Sequence, residues 1–75
     1  MKVLLFGELT DIAGNNSIEI ETSKDVVTLN DNILQKFPSL QNMKYRTAVN
    51  NSFINSNITL HESDVVALLP AFAGG

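Results

Sequence analysis

The spacing of apolar residues changes along the chain, and each change marks an element. Val3 and Leu5 alternate with Leu4 and Phe6 ahead of Gly7, which predicts a strand over residues 2–7 that is apolar on both faces. Glu8 to Asn16 reads as a connection, with or without a helical turn, and Gly14-Asn15-Asn16 supplies residues that tolerate positive φ. From Ser17 to Thr22, Ile18 and Ile20 alternate with Glu19 and Glu21, the pattern of a half-exposed strand at an edge, where charge discourages further pairing. The period then lengthens. Val26, Leu29, Ile33 and Phe37, with Leu34 beside Ile33, form one apolar stripe at helical spacing, so a helix is expected over residues 26–36. Asp25 stands where an N-cap belongs, and Pro38 disfavours helical geometry at Phe37 and lacks the next donor.

Beyond the helix, Ser39 to Lys44 reads as a loop and Tyr45 to Asn50 as a strand. Asn50-Asn51-Ser52 makes a tight turn and Phe53-Ile54 a short return strand. Asn55 to Ser63 is polar, apart from Ile58 and Leu60, which can reach the core. Val65 to Leu69 forms the last strand, stopped by Pro70. The order strand, strand, helix, strand, short strand, strand gives an α+β fold: a mixed sheet with one main helix packed on one face, the β-grasp arrangement. Its first and last strands lie side by side and parallel in the middle of the sheet. Val3, Leu5, Val66 and Leu68 then face the helix, while Leu4, Phe6, Ala67 and Leu69 form an uncovered apolar patch where the tail leaves.

A chain of 75 residues is expected to form a single domain, 1–75, with residues 70–75 as an extended tail. Hydrophobic residues at 44% and charged residues at 17% indicate a folded core rather than a disordered segment. With a net charge of -3 and only Lys2, Lys24, Lys36, Lys44 and Arg46 as cations, nucleic acid is not an expected partner. The opening apolar run ends at Gly7-Glu8, too short for a secretory signal, so a cytoplasmic location is expected. No run is long enough to suggest a membrane span, and no membrane partner is expected. Cysteine is absent, which excludes disulfides, thiolate metal sites, thiol nucleophiles and side-chain persulfides.

Lys2-Val3-Leu4-Leu5-Phe6-Gly7, the helix spacing from Val26 to Phe37-Pro38, Ala48-Val49-Asn50, and Asp64-Val65-Val66-Ala67-Leu68-Leu69-Pro70 running on to Gly74-Gly75 occur here in one order. In this the chain resembles the small, ubiquitin-like subunit of molybdopterin synthase, one of the β-grasp sulfur carriers, and the match spans essentially the whole sequence. The most specific piece is Ala67-Leu68-Leu69-Pro70 followed by the Gly-Gly ending. Ala71 stands where the family usually has proline, which implies a less stiff tail, and Ser63-Asp64 stands where a Gly-Asp turn is usual, which implies a different turn before the last strand.

The resemblance implies a role without catalytic residues of its own. The Gly75 carboxylate would be adenylated by an ATP-dependent enzyme of the ubiquitin-activating type, converted to a thiocarboxylate by a sulfur donor, and used by the large catalytic subunit of a heterotetrameric synthase. The acceptor would be the cyclic pyranopterin monophosphate precursor of the molybdenum cofactor. ATP would be consumed by the partner, and no cofactor or metal is expected on this chain. A free carboxylate, with a pKa of roughly 3.3–3.7, is anionic at neutral pH and a poor electrophile, so activation must come from outside. Gly74 and Gly75 offer an unhindered carbonyl and a backbone thin enough for another protein's channel, and Pro70 to Gly75 can reach roughly 20 Å. With no thiol present, the terminus is the one plausible sulfur-bearing position. Leu4, Phe6, Ala67, Leu69, Pro70 and Phe72 are the candidate partner-binding residues, Phe72 as an anchor in a partner groove. The alternatives are the carrier for thiamine thiazole synthesis, a ubiquitin-like modifier joined to lysines through Gly75, and a pure binding module.

Other features have plainer readings. His61 lies in a polar loop with no cysteine or second histidine to complete a site, and reads as solvated. Glu19 and Glu21 share the solvent face of an edge strand and serve solubility. The Asn-x-Ser/Thr matches beginning at Asn15 and Asn57 carry no meaning without secretion.

Overall fold

The first and last strands lie side by side in the sheet. In the computed structural model, which describes residues 1–71, β1 (Lys2–Leu5) runs parallel to β5 (Val66–Pro70), with Val3 opposite Val66, Leu4 opposite Ala67 and Leu5 opposite Leu68. β2 (Ser17–Glu19) lies antiparallel on the outer side of β1. On the other side of β5 lies β3 (Tyr45–Val49), also antiparallel, and β4 (Ser52–Phe53) closes the far edge. The order β2-β1-β5-β3-β4 is the mixed β-grasp sheet expected from the succession of elements.

One face of this sheet is covered by α2 (Val26–Lys36), the short α1 (Leu9–Ala13) and a 3-10 helix (Pro38–Asn42). Val3, Leu5, Val66 and Leu68 point into that side, each no more than 2% exposed, and meet Leu9, Leu29, Ile33 and Leu40. Burying a side chain of this size stabilises by roughly 1.5–3 kcal/mol, so these residues supply most of the driving force. α2 starts and stops as its sequence dictates. The Asp25 carboxylate accepts from the Thr28 amide at 2.9 Å, and the chain leaves helical geometry at Phe37, before Pro38. Asn57, from the polar stretch between β4 and β5, adds to the cap: its Oδ1 accepts from the Val27 amide at 3.0 Å and its Nδ2 donates to Asp25 at 3.2 Å. That stretch is therefore laced to the helix, with Leu60 buried beneath it.

Several boundaries differ from the sequence expectation, each for a local reason. β1 closes at Leu5, because Gly7 takes φ 58° and turns the chain into α1; the Phe6 amide still reaches Leu68 O at 3.2 Å. β2 ends at Glu19 rather than Thr22; just past it Ile20 meets Met1, its amide donating to Met1 O at 3.0 Å and its carbonyl accepting from the Met1 amino group at 2.8 Å. Residues 38–42, expected as loop, form the 3-10 helix that delivers Leu40 to the core at 1% exposure. Pro70 does not stop β5 but is its last residue, paired with Tyr45. The Ala71 amide donates to Lys44 O at 3.0 Å, so its neighbour's nitrogen faces the β1 side, where the chain has already turned away at Gly7 and no ladder partner is lost.

The Asn50-Asn51 turn has both residues at positive φ, 51° and 70°, the two-residue connection that suits the twist of β3 and β4. The turn before β5 needs no glycine, because Ser63 is not among the positive-φ residues. Asp64 builds it instead, accepting from the His61 amide at 2.8 Å through its carboxylate and donating its own amide to His61 O at 2.9 Å.

Candidate functional site

The sheet face away from the helices is set by strand alternation. Leu4 lies opposite Ala67, Ala67 opposite Ala48, Ala48 opposite Phe53, and Leu69 opposite Arg46. Four of the expected patch residues thus share one face: Leu4, Ala67 and Leu69 are half-buried, and Phe6, which follows them at the end of β1, is 44% exposed. Lys2, Leu4 and Phe6 line a shallow depression there together with Ser17. The face extends beyond the residues expected from β1 and β5. Val65, 42% exposed, continues the alternation of Ala67 and Leu69, and Arg46 and Phe53 come from β3 and β4. The guanidinium carbon of Arg46 sits 4.0 Å from the centroid of the Phe53 ring, which is itself 50% exposed. Period-two alternation along Tyr45–Val49 groups Arg46 with Ala48, but only the pairing with β5 puts the two on the open face.

The base of the tail is fixed to this face's edge. Pro70 packs on Gly7, where an added Cβ would come within 2.7 Å of Pro70 Cγ, so the absent side chain makes the seat. Gly7 is held in turn, its carbonyl accepting from the Thr10 hydroxyl at 2.8 Å and the Thr10 amide at 3.1 Å. Tyr45, opposite Pro70 on the helix side, donates its hydroxyl to Asn30 Oδ1, and burial holds the phenol pKa above its ordinary value. The Ala71 amide is fastened to Lys44 O at 3.0 Å, a restraint that a proline nitrogen at this position could not make. Phe72, Ala73, Gly74 and Gly75 lie outside the described residues.

Two carboxylates near this framework are held below the usual carboxylate range. Hydrogen bonds from Thr28 and Asn57 do this to Asp25; a side-chain hydrogen bond from Asn50 and the His61 amide do it to Asp64. Both are structural caps remote from the tail. Among the described residues no group of three His, Asp or Glu could hold a metal ion, and no helix is long and apolar enough to cross a membrane. What the arrangement offers is a rigid, partly apolar face carrying one stacked cation, with a chain end issuing from its centre strand.

Comparison with known proteins gives this geometry a family. The ThiS family model matches residues 3–75, nearly the full length and through both C-terminal glycines. The chain belongs to the ThiS family of ubiquitin-like sulfur carriers. A Mycobacterium tuberculosis protein named molybdopterin synthase sulfur carrier subunit is 32% identical over 80 residues, an alignment covering 100% of this chain and 96% of the relative. Among solved structures, SAMP1 from Haloferax volcanii superposes with a TM-score of 0.81 over 99% of this chain and 97% of its own; at 20% identity it bears on the fold alone.

Proposed function

We propose that this member of the ThiS family carries sulfur as a thiocarboxylate on Gly75 and serves as the small, non-catalytic subunit of molybdopterin synthase. The observation that carries the reading is the full-length 32% identity to the mycobacterial sulfur carrier subunit. The family match running through Gly75 supports placing the chemistry at the two glycines.

The Gly75 carboxylate attacks the α-phosphorus of ATP in a partner's active site, and pyrophosphate leaves. Sulfide released by the donor then attacks the acyl-adenylate carbon and displaces AMP, which leaves Gly75 as a thiocarboxylate. The activated carbon must be approached closely, and a glycine carbonyl hinders that approach least. The thiocarboxylate passes with the chain to the large catalytic subunit, where its sulfur is transferred to the cyclic pyranopterin monophosphate precursor in molybdenum cofactor biosynthesis. Gly74 lets the backbone enter a narrow channel. Leu4, Phe6, Ala67 and Leu69 supply the docking face, Pro70, on the helix side of β5, meets the partner at the exit point, and Phe72 anchors the tail. The chain contributes position and a leaving end; the adenylating enzyme, the sulfur donor and the large subunit contribute every reactive side chain. The assembled synthase is a heterotetramer in the cytoplasm.

Reconstitution tests the assignment. With adenylating enzyme, ATP, sulfur donor, large subunit and precursor present, molybdopterin should form only when this chain is included. Formation of thiamine thiazole in the matched system, with no molybdopterin in the first, would instead favour the second reading. That second reading draws support from the ThiS family match and shares every step up to the thiocarboxylate.

A further inference from the structure

We propose that Arg46 is a specificity residue for the enzyme that loads the tail, and that this enzyme presents a carboxylate to it from within an otherwise apolar contact surface. The inference rests on the reading above in one respect: a partner must lie against the open sheet face when it receives the tail.

The register gives the first reason. Arg46 stands directly opposite Leu69, one residue before Pro70, so any protein that covers Leu69 and the exit of the tail covers Arg46 as well. The four residues after Ala71 reach only about 13–14 Å when extended, which keeps the receiving active site close to this face. A guanidinium cannot lose its proton, and burying it without a counter-charge is strongly unfavourable. A purely apolar partner surface would therefore be penalised here.

The second reason is that Arg46 is held in place for such a contact. Its guanidinium lies over the Phe53 ring at 4.0 Å, and Ala48, 6% exposed, lies directly across the β3–β4 pair from that ring. Stacking on one side leaves the in-plane N–H donors free for bidentate pairing with a carboxylate. Among the described residues Arg46 makes no ion pair; the one recorded joins the Met1 amino group to Glu19 at 3.5 Å.

The third reason is charge distribution on an acidic chain. Two of its five cations stand at the exit of the tail: Arg46, opposite Leu69, and Lys44, whose carbonyl accepts from the Ala71 amide; Lys2 lies at the other end of the parallel β1–β5 pair. The carboxylates lie mostly off these strands: Asp11 in α1, Asp25 and Asp31 at α2, Glu62 and Asp64 before β5, and Glu19 and Glu21 on or just past β2. Glu8 is the exception, one residue after the Gly7 on which Pro70 packs. On a protein of net charge -3, the β3 side of the tail's exit thus carries two cations, Lys44 and Arg46, which suits an acidic group on the partner surface.

The test is steady-state adenylation by the ATP-dependent activating enzyme of the same organism, with pyrophosphate release followed as the carrier concentration is varied. Arg46→Leu should raise KM about tenfold or more while kcat stays within about twofold, since an exposed docking contact acts on binding rather than chemistry. Arg46→Glu should raise KM further, and Arg46→Lys should fall between wild type and Arg46→Leu. The salt dependence of kcat/KM should flatten in Arg46→Leu, and a charge-reversing Asp→Lys or Glu→Lys substitution on the enzyme should rescue Arg46→Glu. Unchanged melting temperatures would show that each variant is folded. Wild-type KM and salt dependence in both Arg46→Leu and Arg46→Glu would overturn the inference while leaving the sulfur-carrier reading intact. A wild-type chain that is not adenylated at all would overturn both.

Discussion

Asn50 joins three structural requirements at one position. It adopts φ 51°, its Nδ2 donates to Asp64 at 2.9 Å, and its Oδ1 accepts from the Val65 amide at 2.9 Å. Its own amide also bonds Val65 O at 2.8 Å, so the β3–β4 turn and the entry to β5 are one unit. Asn50→Ala should lower stability by about 2 kcal/mol in urea denaturation, combining left-handed strain with lost hydrogen bonds. Asn50→Gly should relieve the strain alone and fall between Asn50→Ala and wild type; an Asn50→Ala midpoint equal to wild type would contradict this account. The acid limb of stability follows from Asp25 and Asp64. Both are lowered from the ordinary value of 3.8 by hydrogen bonds made in the folded state. A depressed folded pKa means that the stabilisation is fully present above 3.8 and is lost as pH falls through the lower folded values. The double variant Asp25→Asn, Asp64→Asn should therefore show a flatter decline in melting temperature below that value, and a decline as steep as wild type would contradict the sign.

At the scale of elements, the succession of strands and the α2 boundaries were legible because each rests on many residues in register with a period, and Asp25 and Pro38 mark the ends. The 3-10 helix was not. Five residues are too few to show periodicity, and Leu40 looks like a lone apolar residue in a loop until tertiary packing buries it to 1% exposure. Leu40→Ala should cost about 2–5 kcal/mol, as a fully buried leucine does, while Gln41→Ala, on the exposed side of the same turn, should be near neutral. Equal midpoints for the two would mean that this segment is not part of the core. The end of β5 was misjudged for a related reason. Proline reads as a stop signal in sequence, yet its effect depends on which neighbour its nitrogen faces, and that is fixed only when the sheet assembles.

At the scale of the whole molecule, the open face was half legible. Alternation within β1 and β5 placed Leu4, Ala67 and Leu69 together, because those two strands are neighbours in any β-grasp sheet. Arg46, Ala48 and Phe53 join them only through the β3–β5 and β3–β4 registers, which a single sequence does not supply. The helices, the core and the caps together hold one sheet rigid, so that Pro70 sits on Gly7 and Ala71 on Lys44 at the point where the tail begins. The fold on this account is a handle, and the chemistry belongs to Gly75. The most direct test is intact-mass measurement after incubation with the adenylating enzyme, ATP and a sulfur donor, with fragmentation to locate the change. The account predicts replacement of one oxygen by sulfur at Gly75, abolished when one residue is added after it. An unchanged mass in the native chain, or a sulfur found anywhere but the terminal carboxyl, would contradict it.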